Sequence, residues 1–320
     1  MTTISIALAT YNGARFLREQ LDSLAAQQRL PDELVVSDDG SSDGTLGILA
    51  DFARAAPFPV RLLQDNPRQG VAGNFEHAAR HCTGDLVFFC DQDDVWLPHK
   101  LARVEAVFGE HPEAQVVLND ALLTDGALVG EGRTQLEGVR LSGIGEDQFV
   151  MGCCSAHRRD FQQLVLPIPA DMPVHDRWFN EIAHHLGAAV ILDEVLQLYR
   201  RHGDNESQWM MSDPGMSRAR FLLASGLGDA RRQWQVNADV LDSIAQRVEQ
   251  RRELAGQLAG APLDTQLARV TERRARLQER IALCSRPRSK RTPAVLRFWL
   301  QGGYSSERGV LSALKDAVRP

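Results

Sequence analysis

Over the first 120 residues, short apolar runs alternate with stretches of helical periodicity. The runs at 4–8, 34–36, 60–63, 86–89 and 116–118 are predicted as strands. Between the first two, Leu17, Leu21, Leu24 and Ala25 fall at i, i+4, i+7 and i+8, so one helical stripe can cover a sheet. Phe75, Ala78, Ala79 and Cys82 repeat that logic. This alternation predicts βαβ units and a mainly parallel central sheet flanked by helices, an α/β fold. In such sheets the loops at the carboxyl ends of the strands form the crevice, which points to 9–12, 38–41 and 91–94.

Beyond residue 120 the pattern changes twice. Residues 125–145 are rich in loop formers, and MGCCSAHRRDF, PVHDRWFNEIAHHLG and LQLYRRHGDNESQ follow in a mixed pattern. After about Ser212 long polar helices take over, with Leu263, Leu267, Val270, Leu277, Ile281 and Cys284 forming one stripe interrupted at Arg274. The expected organisation is therefore one α/β domain at 1–212, with a regular half at 1–120 and a mixed half at 121–212, and a helical C-terminal region at 213–320. The helical stripe reads as intramolecular packing, with a homodimer through these helices as its other use.

Composition narrows the class. A hydrophobic content of 43% over 320 residues supports a large core, and a net charge of -6 argues against a general nucleic-acid binder, which needs a basic surplus to neutralise phosphates. There is no apolar run of eighteen residues, and MTTISIALATYNG has no basic leader before its first strand, so a cytoplasmic location is expected. The five cysteines show no CxxC spacing and read as reduced, buried side chains. In RPRSKRTPAVLRFWLQGGY, within the basic-aromatic segment 286–304, basic residues flank Val295, Leu296, Phe298, Trp299 and Leu300. That mixture suits an anionic membrane surface, or else a solvated turn before a short core helix.

In DLVFFCDQDDVWLPHK an apolar strand ends in Asp91, Gln92, Asp93 and Asp94. Crowded carboxylates are unfavourable unless a cation sits among them. Oxygen ligands favour Mg²⁺ or Mn²⁺, which bind through one or two carboxylates plus substrate phosphates. An acidic turn before a helix near Pro98 is the plainer alternative. A second acidic loop, SDDGSSDGT, brings Asp38 and Asp39 to the same sheet edge. Asp39 is expected to accept from the N–H of a pyrimidine base, and Asp43 to cap the helix near Thr45.

Taken in order, ISIALATYNG, VVSDDGSSDGT, NPRQGVAGNFEHAARHCTGD and CDQDDVWLPHK resemble the family-2 glycosyltransferases of the inverting GT-A fold, and in particular their rhamnosyltransferase-like branch. The resemblance extends through HDRW and YRRHGDN to about residue 210, and more weakly to FWLQGGYSSERG. It implies transfer of a sugar from a UDP- or dTDP-activated donor to a hydroxyl of a glycan, lipid-linked in bacterial surface polysaccharide synthesis, at the inner face of the cell membrane. By the same resemblance 1–212 is the catalytic domain, with 1–120 its nucleotide-sugar-binding half and 121–212 its acceptor half; Ala9, Thr10 and Tyr11 line the nucleoside pocket, and Asp91 and Asp93 are the metal pair for Mn²⁺ or Mg²⁺. Asp94 is an outer or acceptor-side residue, and Asp176 is the catalytic base. Arg68, Asn74 and Gln92 fall on the donor side. Arg200, Arg201 and His202 form a loop that closes over the diphosphate, with Arg201 and His202 as donor contacts, while His157 and His175 are expected to be structural. Trp96 is expected in the core, and Trp178 is a candidate for stacking on sugar.

Two competing activities and one noncatalytic reading carry opposing signals. A nucleotidylyltransferase would show a glycine-rich basic loop after the first strand, where ATYNGARF offers only Gly13 and Arg15. A dehydrogenase would show GxGxxG there. A noncatalytic sugar-nucleotide-binding protein has no need of Asp176.

Overall fold

The computed structural model describes residues 2–63, 68–142, 145, 149, 151–170, 172, 174–203, 230–304 and 309–319. The chain begins β1 (Ile4–Thr10), α1 (Leu17–Ala25), β2 (Glu33–Asp38), α2 (Thr45–Ala55), β3 (Val60–Leu63), α3 (Gly70–His81) and β4 (Leu86–Cys90). It continues with β5 (Val95–Trp96), α4 (Lys100–Glu110), β6 (Val116–Thr124), β7 (Gly130–Thr134), α5 (Gln135–Ser142), β8 (Ser155–Arg158), α6 (Gln162–Val165), α7 (His175–His185) and β9 (Ala189–Arg200). Helices α8 (Arg231–Gln250), α9 (Arg252–Leu258), α10 (Leu263–Cys284), α11 (Arg288–Leu300) and α12 (Val310–Val318) follow.

All nine strands form one sheet in the order β3-β2-β1-β4-β8-β6-β9-β5, with β7 on β6. The first four are parallel neighbours, as the βαβ pattern predicts. Strand β8 is antiparallel to both β4 and β6, while β6 and β9 run parallel. The mixed pattern beyond residue 120 thus extends the same sheet.

Strand β1 is buried on both faces because helices cover both. Ile4, Ile6 and Leu8 point to one layer with Leu17, Leu21 and Leu24 of α1 and Leu101, Val104 and Phe108 of α4. Ala7 points the other way, toward Phe75, Ala78 and Ala79 of α3 and Trp178, Phe179 and Ile182 of α7. Each such Leu or Ile contributes about 1.5–3 kcal/mol by leaving water. These two layers fix the direction of β1, β2 and β4, and hence the edge where their loops meet.

Helix α8 serves two cores. Val240, Ile244 and Val248 join the layer under the sheet, whereas Trp234, Ala238 and Leu241 pack with Val270, Leu277 and Cys284 of α10 and Val295 and Phe298 of α11. The α10 stripe is therefore used within the chain, and its interruption, Arg274, pairs with Asp242. The boundary expected at residue 212 lies outside the described residues. All five cysteines are free and buried. Among the described residues no helix is long and apolar enough to cross a membrane.

Candidate active site

The loops leaving β1, β2 and β4 meet, as anticipated, in an open cleft of about 300 Å³. Ala9, Thr10, Tyr11, Asp39, Arg68, Asn74, Asp91, Gln92, Asp93 and Asp176 all line it, so residues scattered over 168 positions of chain share one wall-to-wall space. Arg201 and His202 are not among its lining residues.

Much of the polar lining also holds the loops in place. The Gln92 side chain clamps the β1 loop, its Oε1 accepting from the Tyr11 N–H at 2.9 Å and its Nε2 donating to the Tyr11 carbonyl at 3.0 Å. A Cβ at Gly13 would stand 2.2 Å from Gln92 Oε1, so this clamp requires glycine there. Asn74 Nδ2 donates to the Thr10 carbonyl at 3.1 Å. Asp39 accepts from the backbone N–H of Gln69 at 2.6 Å and of Gly70 at 3.0 Å, at the start of α3 where a carboxylate is favoured. Asp43 accepts from the Thr45 N–H at 3.0 Å from one residue before the cap position of α2, which Gly44 occupies. Tyr11 and Arg68 remain accessible, with the guanidinium 4.3 Å from the ring centroid.

The acidic loop after β4 divides its members. Asp94 is fully buried, accepting from Gln197 Nε2 at 2.9 Å and from the Arg200 N–H at 3.1 Å. Asp91, Asp94 and the Cys153 thiol place one ligand atom each within 4.8 Å of one another. Burial pushes the Asp91 carboxyl well above the usual carboxylate range, and the charges of Asp93, Asp94 and Asp176 push it further. Burial and Asp93 likewise raise Asp94, to about 7. Of these groups only Asp91 lines the cleft, together with Asp93, and two carboxylates with mutually repelling charge facing a cleft are oxygen donors that fit Mg²⁺ or Mn²⁺. Cys153 was not foreseen, because only the tertiary fold carries it to Asp91. Asp93 lines the cleft and its Oδ2 lies 2.9 Å from His202 Nε2.

Two expectations for the end of β9 are corrected. Arg200 is 2% exposed and fixed in place rather than free to close over a ligand. Its Nε donates to the Asp93 carbonyl at 2.8 Å, one terminal nitrogen donates to the Gly126 carbonyl at 2.7 Å and the other meets Glu19. Arg201 reaches away to Glu131 of β7 at 2.6 Å. The remainder of that expected loop, from Asp204 onward, lies outside the described residues. A third correction concerns Trp178, which is fully buried with its Nε1 donating to the Val165 carbonyl at 2.7 Å, and so cannot stack on sugar. Trp96 is in the core as expected.

Asp176 stands in the first turn of α7 and lines the same cleft, close enough for its charge to act on Asp91. Its Oδ2 accepts from the Gly152 N–H at 3.1 Å and its Oδ1 from the Arg177 N–H at 2.6 Å. Burial nonetheless raises its pKa to about 6, because these bonds offset only part of the desolvation. A Cβ at Gly152 would lie 3.0 Å from Asp176 Cβ and 2.6 Å from His175 Nε2, so the residue opposite α7 must be small. His175 also lines the cleft, while its ring is buried against Phe75 and Phe89. The arrangement joins an acidic cation site to a carboxyl able to hold or release a proton near neutral pH.

Residues 5–121 match the family model described as Glycosyl transferase family 2. An uncharacterized glycosyltransferase of Nostoc sp. is 33% identical over 220 residues, 63% of this chain and 66% of the relative. The dTDP-rhamnosyl transferase RfbG of Shigella flexneri is 35% identical over 98 residues, 29% and 34% of the two chains. The UDP-Glc:alpha-D-GlcNAc-diphosphoundecaprenol beta-1,3-glucosyltransferase WfgD of Escherichia coli is 26% identical over 128 residues, 40% and 49%. The chain thus spans less than two thirds of the length of these curated relatives.

Among solved structures, S. aureus TarS 1-349 in complex with UDP superposes with a TM-score of 0.56 at 15% identity, covering 98% of this chain and 90% of that one. The mannosyltransferase PcManGT from Pyrobaculum calidifontis, in complex with GDP-Man and Mn²⁺, gives 0.54 at 17%, covering 99% and 86%. These likenesses establish the GT-A fold, including a helical C-terminal region. The ordered motifs, the matched family model and the architecture agree: the chain has the GT-A fold, and its residues 5–121 carry the match to glycosyl transferase family 2.

Proposed function

We propose that this protein transfers a sugar, with inversion, from a UDP- or dTDP-activated donor to a hydroxyl of a lipid-linked glycan acceptor, with Mn²⁺ or Mg²⁺ as cofactor. The observation that carries this reading is the placement of Asp91, Asp93 and Asp176 around one cleft, the base candidate in the same space as the cation candidates. In this reading Tyr11 and Arg68 flank the base of the donor, Asp39 holds the loop that shapes that pocket, and Asp91 and Asp93 hold the cation. The cation, when bound, supplies Lewis-acid neutralisation of the departing diphosphate. The acceptor oxygen forms the new bond to the anomeric carbon while the carbon–oxygen bond to the diphosphate breaks and its electron pair leaves with the diphosphate. The acceptor proton passes to Asp176, whose oxygens are oriented by the Gly152 and Arg177 N–H groups.

The similarity to a dTDP-rhamnosyl transferase and the UDP carried by TarS support a pyrimidine donor and a rhamnosyltransferase-like branch. The Mn²⁺ of PcManGT supports the metal. The diphosphoundecaprenol substrate of WfgD supports a lipid-linked acceptor. Peripheral contact with the inner face of the membrane fits α11, where Leu296, Trp299 and Leu300 are exposed beside exposed Lys290 and Arg297. On this reading 1–212 is the catalytic unit and 213–320 carries the surface contact.

Purified protein with Mn²⁺ or Mg²⁺ and a panel of nucleotide sugars should release nucleotide diphosphate faster with acceptor than without. Asp93→Ala should lose metal-dependent nucleotide binding, whereas Asp176→Asn should keep it and lose transfer. Absence of release from every donor would refute the catalytic reading, and retention of transfer by Asp176→Asn would refute the assigned base.

A further inference from the structure

His175 is 4% exposed and lines the cleft beside Asp176. Neither of its ring nitrogens has a hydrogen-bond partner among the described residues. Native structures rarely bury a polar side chain in this state, because the lost hydration is not returned. The ring is nevertheless held firmly. It stacks on Phe75 at 3.8 Å with an interplanar angle of 24° and meets the edge of Phe89 at 4.8 Å. The neighbouring His157, equally buried, has one nitrogen 3.1 Å from Gln162 Nε2, so His175 is the more completely unsatisfied of the two. Burial lowers the pKa of His175 to about 3, and at any working pH the neutral ring presents one donor and one acceptor.

We propose that the His175 imidazole is a hydroxyl-binding subsite on the acceptor side, taking a hydroxyl of the acceptor sugar next to the one that loses its proton to Asp176. The inference rests on the transfer reading above and adds a residue to it. Three features support it. The pyrimidine side of the cleft is built by Tyr11, Asp39 and Arg68 from the loops of β1, β2 and β3, whereas His175 and Asp176 are consecutive in the first turn of α7. The two aromatic contacts fix the ring plane in advance, which lowers the ordering cost of binding. Finally, the residue against Nε2 is Gly152, also a lining residue of the cleft, where any Cβ would stand 2.6 Å from that nitrogen.

The test compares the wild type with His175→Phe, which keeps the stack on Phe75 and removes both nitrogens, and His175→Asn, which restores a donor and an acceptor. If the nitrogens await a ligand, His175→Phe should raise the Tm of the free protein by about 2 °C or more, since unpaired buried polar atoms are removed. It should lower kcat/KM for the acceptor tenfold or more while leaving the donor KM and acceptor-free donor hydrolysis within twofold. His175→Asn should recover part of the acceptor kcat/KM. A lowered Tm for His175→Phe would show a structural imidazole, and an equal loss in donor hydrolysis would place its contact on the donor; either overturns the subsite, as does an unchanged acceptor kcat/KM. A wild type that releases no nucleotide diphosphate from any donor overturns the transfer reading and the subsite together, whereas an active wild type with an unaffected His175→Phe overturns the subsite alone.

Discussion

Buried charge is handled in opposite ways at the two ends of this molecule. In the helical C-terminal region Arg280 and Asp316 are 5% and 0% exposed and meet at 2.6 Å, with the Tyr304 hydroxyl donating to the same carboxylate at 3.1 Å and Arg319 at 3.2 Å from its other oxygen. Each charge of this cluster has an opposite charge against it. At the cleft, Asp91 and Asp176 have raised pKa values, the buried Asp94 adds its like charge to that of Asp91, and the His175 nitrogens have no partner among the described residues. The first pattern holds helices together; the second is tolerated because a ligand completes it.

Substitution should separate the two regions cleanly. The largest effect is expected for Asp176→Asn, with transfer reduced by about 10²–10⁴-fold, the usual contribution of a positioned base, measured as nucleotide diphosphate release at saturating donor. Because the Asp176 pKa is raised in the folded chain, the carboxylate form is disfavoured by folding. The protein is therefore more stable below the unfolded pKa of a carboxyl, and that gain is lost as pH rises through about 6. Asp176→Asn should consequently unfold at a higher temperature than the wild type at pH 8.

Asp316→Ala should do the reverse. It leaves Arg280 buried without its carboxylate, so a loss of about 3–5 kcal/mol is expected in denaturant unfolding, with the rate per folded molecule unchanged. A normal stability for this variant would end the contrast between the regions.

A smaller effect is expected from pH itself. Transfer requires Asp176 as the carboxylate, so kcat should fall about tenfold per pH unit below about 6 and level off above it. A profile flat down to pH 5 would remove Asp176 from the base role.

The smallest change should come from the exposed apolar surface. Leu300 and Leu314 are 72% and 60% exposed, so Leu300→Asp with Leu314→Asp should alter stability within about 0.5 kcal/mol. The same double variant should weaken sedimentation with vesicles containing anionic lipid. Unchanged sedimentation would leave α11 and α12 without a membrane role.

The strands of the parallel half, the helical stripes of α1, α3 and α10 and the acidic loops at strand ends were legible in the chain because each is a local pattern, periodic over a few turns or confined to one loop. Topology then follows from those patterns, since parallel strands joined by helices must bring residues 9–12, 38–41 and 91–94 to a common edge. Which polar side chains face a ligand was not legible. Gln92 and Tyr11 are 81 positions apart, Asn74 and Thr10 are 64, and Arg200 and Asp93 are 107. A hydrogen bond at such separation leaves no period in the sequence, yet it decides whether an amide or guanidinium is already engaged. Cys153 beside Asp91, the stack of His175 on Phe75 and the small residue required at 152 are of the same kind. The sequence by itself determined the fold and the family resemblance of its first 121 residues, because backbone preference and hydrophobic period act over a few residues. Only the tertiary structure decided which buried groups are satisfied and which are left waiting in the cleft, because that balance is set by partners the chain brings together from far apart.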